Sequence, residues 1–138
     1  MNHRKTLVGS VIFFALVFLT IYLSTQYLSL ERSSSCTDCS YMKDILFFSV
    51  ISLFVIPLMV WIQKRAKLGE ILLSTIIGGV YVCVVFFSVL NLFQDRVSSW
   101  SSYSTSDELL AVLFQSYPYL IVGAIVTFFV FYRIVKIR

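Results

Sequence analysis

Two cysteines three positions apart, Cys36 and Cys39 in the run Cys-Thr-Asp-Cys, are the residues with the clearest capacity for chemistry. Such a C-x-x-C pair can close a local disulfide. With a lowered thiol pKa it can instead pass electrons, one thiolate attacking a partner disulfide through a mixed intermediate. A stable disulfide is permitted in an oxidising compartment, such as a bacterial periplasm or an organelle lumen. Two thiolates without further Cys or His fall short of a four-ligand zinc site, so no metal is expected. The third cysteine, Cys83, lies in an apolar stretch, where a thiol packs as a small apolar residue. The single histidine, His3, stands near the N-terminus and reads as solvated.

The pair is expected to form a structural disulfide. Four-helix membrane enzymes that make disulfides with a quinone also carry a cysteine pair in an outer loop, but they need a second pair to relay electrons, and this sequence has none. Hydrolytic motifs are absent too: no G-x-x-x-x-G-K-[ST], H-E-x-x-H or G-x-S-x-G occurs. No cofactor is expected.

The elements that would position these residues follow from the distribution of charge. The chain has 138 residues, 59% of them hydrophobic and 13% charged, where a soluble domain carries roughly 25% charged residues. Stretches free of Asp, Glu, Lys, Arg and His run from Thr6 to Leu30, Ile45 to Gln63, Ile71 to Gln94 and Leu109 to Tyr132. A bilayer core needs about 20 apolar residues at 1.5 Å rise. Backbone amides cannot stay bare in lipid, so each run must be helical. The first continues through Phe18, Ile21 and Tyr22, beyond the roughly 7–15 residues of a signal-peptide core. Thr105 to Glu108 form a T-x-x-E capping box ahead of the fourth run. The fold expected is an all-α integral membrane protein: one transmembrane domain over residues 1–138, a four-helix bundle with helices at about 6–30, 45–63, 71–94 and 106–133. Pro57 and Pro118 each remove a helix amide and are expected to bend the second and fourth helices.

With four crossings, Arg4, Lys5, Lys64, Arg65, Lys67, Arg133, Lys136 and Arg138 fall on one side, against Arg32, Lys43 and Arg96 on the other. Eight against three is a positive-inside bias, giving cytoplasmic N- and C-termini. A compact chain with little soluble mass suits a bacterial inner membrane. The net charge of +4 is spread over the ends of apolar runs, and no nucleic-acid partner is expected. The two outer loops, about Glu31 to Asp44 and Asp95 to Glu108, are serine-rich and read as flexible surface.

Lipid tails are as apolar as leucine, so the helices must associate by close packing and by interhelical hydrogen bonds. Ser74 with Gly78, and Gly79 with Cys83, give two small-xxx-small faces; Ser49 and Ser52, with Gly123 and Ala124, are the candidate complements. No Asp, Glu, Lys, Arg or His lies inside the runs, which argues against proton relays and ion-coupled transport. The function expected is non-enzymatic: a small polytopic protein that contacts another membrane protein or itself, in an accessory, regulatory or immunity-type role. One alternative is a thiol-disulfide oxidoreductase using Cys36 and Cys39. Another is a small oligomeric transporter or channel for a neutral or lipid-like solute, with Asn91 and Gln115 on its path.

Overall fold

The computed structural model describes residues 3–35 and 40–136, and among these every regular element is helical, with no strand. Helix α1 (His3–Thr25) runs on into a 3-10 turn at Gln26–Leu28. Helix α2 (Tyr41–Val50), a 3-10 segment (Ile51–Phe54) and α3 (Val55–Ala66) make one continuous second stretch. Helix α4 (Glu70–Arg96) leads through a 3-10 turn at Ser98–Trp100 to α5 (Thr105–Lys136). Four helical stretches, His3–Leu28, Tyr41–Ala66, Glu70–Trp100 and Thr105–Lys136, are long and apolar enough to cross a membrane. The last three reach past both ends of their uncharged runs, because the helix continues through the polar residues there, whereas the first starts earlier than its run, at His3, and stops at Leu28, short of Leu30.

The termini of these helices have local causes. Ser40 is extended (φ −77°, ψ 139°) and its hydroxyl accepts from the Lys43 amide, capping α2. Lys67 takes the left-handed conformation (φ 49°) and stops α3, a position at which glycine is the usual solution. At the start of α5 the capping residue is Ser104, one position before the expected Thr105: its hydroxyl accepts from the Asp107 amide and its carbonyl from the Glu108 amide. The acid three residues after the cap is therefore Asp107, which leaves Glu108 for another task.

The 3-10 segment in the second stretch sits just ahead of Pro57. Proline has no amide for the Leu53 carbonyl and its ring crowds that carbonyl. The ladder tightens to three-residue spacing, the Val55 amide bonding the Ser52 carbonyl, and the Ser52 hydroxyl donates to the Ser49 carbonyl at 2.6 Å. Pro118 lies within α5, which is helical without interruption.

Helix α4 packs most extensively on α5, and α1 lies across both. The mid-bundle core is aromatic: Tyr81 of α4 meets Phe13 of α1 edge-on at 6.0 Å, and Phe13 meets Phe131 of α5 at 5.9 Å. The Tyr81 hydroxyl is bonded to Thr20. Gly123 makes room for this ring, since a Cβ there would stand 2.7 and 2.9 Å from two Tyr81 ring carbons. Most other hydroxyls bond within their own helix. Ser24 donates to the Thr20 carbonyl, Ser74 to Glu70, Ser88 to Val84 and Ser116 to Val112. Close packing, with the links from Tyr81 to Thr20 and from Tyr41 to Thr25, therefore carries most of the helix association. Ser74 and Gly78 face inward, with the Ala124 carbonyl 3.9 Å from where a Gly78 Cβ would be. Gly79 and Cys83 are exposed on the outer side of α4. Ser49 is fully buried.

Candidate functional site: a polar clamp joining two loops

The end of the bundle that carries the two serine-rich loops gathers the last turn of α1, the first turn of α2, the last turn of α4 and the first turn of α5. Arg96, near the end of α4, is only 2% exposed. Its guanidinium donates to the Asp44 carboxylate of α2 and to the Glu31 carbonyl beyond α1. It also lies 5.5 Å from the Tyr41 ring centre, within cation-π range. Both charges suit their helices: a cation at the C-terminal end of α4, and an acid in the first turn of α2. The Tyr41 hydroxyl is bonded to Thr25 at 2.9 Å and reaches the Tyr22 carbonyl at 3.2 Å, which fixes the ring under the arginine. Arg96 Nε has no hydrogen-bond partner among the described residues.

Its neighbour Asp95 holds the other side of the first loop. The Asp95 carboxylate accepts from the Ser34 hydroxyl (2.9 Å), the Ser35 amide (3.0 Å) and the Ser35 hydroxyl (2.6 Å). The Ser34 amide donates to the Asp95 carbonyl at 3.0 Å. This carboxylate lies just beyond the uncharged stretch of α4. Burial pushes its pKa up, but the hydrogen bonds from Ser35, Ser33 and Ser34 outweigh that and hold it at about 2. Those donors also offset the unfavourable placement of an anion at a helix C-terminus.

Glu108 closes the second loop. It accepts from Gln94 at 2.8 Å and from the Ser98 hydroxyl. Trp100 Nε1 donates to the Arg32 carbonyl at 3.2 Å, joining one loop to the other directly, and Tyr103 packs edge-on against Phe93 at 5.6 Å. The serines whose abundance suggests loose surface are donors to fixed acceptors here. Beside this clamp Leu30 is 94% exposed, and Trp100, although its indole N–H is engaged, is 66% exposed.

Cys36 and Cys39 lie outside the described residues. The segment enters them from Ser35, bound to Asp95, and leaves them at Ser40, which caps α2. Asn91 donates to the Phe87 carbonyl of its own helix, and both it and Gln115 are exposed. Among the described residues no three or more His, Cys, Asp or Glu side chains gather as metal ligands would.

The clamp itself is absent from the expected site residues, although a signal for it exists in the chain. Charge sorting places Arg96 and Asp44 at the same end, each beside an apolar run and of opposite sign, and such a pair near the bilayer boundary has reason to meet. The class defined by this arrangement is a helical bundle with four stretches suited to a membrane, closed at one end by a polar clamp. No protein-family model, curated protein or solved structure matches the chain.

Proposed function

We propose that this chain is a non-enzymatic membrane protein of a bacterial inner membrane that acts by contact with another membrane protein, as an accessory, regulatory or immunity-type subunit. In this reading both termini are cytoplasmic, the two loops face outward, and the second and fourth helices bend at Pro57 and Pro118. The observation that carries it is the clamp. Asp95, Arg96 and the Trp100 indole N–H bind the two loops into one platform, on which the rest of the Trp100 ring and the Leu30 side chain stand unburied. Large apolar side chains on a pre-organised surface are the usual anchors of a protein contact.

The test is photocrosslinking in native membranes from residues 30 and 100, each replaced by a photoreactive amino acid. A discrete adduct to a second membrane protein, or to another copy of the chain, is expected from both. Reaction with lipid alone at both positions would overturn the reading. Reporter fusions at the two termini and in the second loop check the orientation separately.

A further inference from the structure

The opposite end of the bundle gathers the start of α1, the end of α3, the start of α4 and the end of α5, with Glu70 as its single acid among the described residues. Two open grooves there combine cations with apolar walls. One, about 350 Å³, lies between α1 and α5 and is lined by Arg4, Lys5, Val8 and Ile134. The other, about 420 Å³, is lined by Phe129, Tyr132, Arg133 and Lys136 on α5. A third groove, about 700 Å³ and lined by Glu70, Ile71, Leu72, Thr75 and Tyr132 among others, has no cation.

Arg4, Arg133 and Lys136 have no carboxylate within ion-pair distance among the described residues, where the sole salt bridge is Arg96 to Asp44. Lys136 rests over the Tyr132 ring at 5.4 Å, which holds its ammonium at the groove rim. A ligand matched to these grooves must be anionic where it meets the cations and apolar where it meets Val8, Ile134 and Phe129. A free anion satisfies only the first demand, and a neutral lipid only the second. We infer that the two basic grooves bind anionic phospholipid, the phosphate meeting Arg4 in one and Arg133 with Lys136 in the other, and the acyl chains lying along the apolar walls. Basic clefts at helix ends bind such headgroups, each Lys or Arg near the surface strengthening the attraction several-fold. The inference rests on the chain being membrane-embedded.

The full chain, purified in mild detergent, is titrated with phosphatidylglycerol and, separately, with phosphatidylcholine of the same acyl chains, and adducts are counted by native mass spectrometry. Preferential retention of phosphatidylglycerol is expected. The combined substitutions Arg4→Gln, Arg133→Gln and Lys136→Gln are expected to cut that preference by roughly tenfold or more. Replacing Lys64, Arg65 and Lys67 by Gln, at the same end but outside both grooves, is expected to leave it in place. Equal retention of the two lipids by the native chain, or a preference untouched by the groove substitutions, would overturn the inference. Loss of phosphatidylglycerol adducts to inorganic phosphate at millimolar concentration would assign the cations to a free anion and overturn it as well. Resistance of the chain to carbonate extraction from membranes reports on embedding independently of lipid choice.

Discussion

At the scale of single residues, the tightest constraint is the contact of Gly123 with Tyr81. The Tyr81 ring is fully buried, set edge-on to Phe13 and bonded to Thr20, so it has no room to retreat from a new methyl group. Gly123→Ala is expected to destabilise the bundle by about 1–3 kcal/mol, the usual range for overpacking. Gly78→Ala, whose new Cβ meets only a carbonyl at 3.9 Å, is expected to be near neutral. Denaturation in mixed micelles ranks the two variants. The buried ion pair behaves differently. Asp44→Ala leaves the Arg96 charge enclosed without its partner and is expected to cost about 3 kcal/mol, whereas replacing both residues by apolar ones of similar volume costs less. A double-mutant cycle in the same micelles measures this, and additive single effects would contradict it. Asp95 gives a pH dependence. Its folded pKa of about 2 lies below the ordinary 3.8, so its hydrogen bonds contribute fully above about pH 4 and are lost as pH falls through about 2. Protection of the Ser35 amide from hydrogen exchange, relative to an unstructured amide at the same pH, is expected to fall over that interval, and Asp95→Asn to lower it already at neutral pH.

At the scale of elements, the cap of α5 separates two registers. Ser104→Ala is expected to cost about 1 kcal/mol of stability, and Thr105→Ala much less. The reverse ranking in a thermal melt would restore Thr105 as the cap. The T-x-x-E pattern is legible in the chain, but it overlaps an S-x-x-D pattern one residue earlier, and composition alone cannot choose between them. The choice follows from Glu108, whose carboxylate is already engaged by Gln94 and Ser98. The four apolar stretches can be read because soluble helices need a charged or polar face, so 19 to 25 residues without any charge point to a lipid-facing helix. The hydroxyls are harder. Ser24, Ser74, Ser88 and Ser116 look like glue between helices, yet each finds a carbonyl four residues back, a bond always within reach in a helix and invisible in residue type.

Across the whole molecule, the outward placement of Cys83 offers a test of embedding. In a background with Cys36 and Cys39 replaced by serine, Cys83 is expected to resist maleimides in intact membranes, because the reacting thiolate does not form in hydrocarbon, and a charged thiol reagent is expected to label it only after solubilisation. Labelling by the charged reagent in intact membranes would place that face of α4 in water. Charge sorting and run length carry the molecule's plan, and both are properties of one stretch at a time. The clamp cannot be read so simply, because it joins Asp44 to Arg96 across 52 positions, and its geometry depends on how α2 and α4 pack.

That clamp also makes the two loops thermodynamically linked. Because Arg96 engages the Glu31 carbonyl and Asp44 together, an event that favours one arrangement of the second loop changes the free energy of the first. Linkage then requires the reverse effect by the same factor. A ligand that engages Trp100 and prefers the clamped arrangement would raise the affinity of the first loop for its own contacts without touching it.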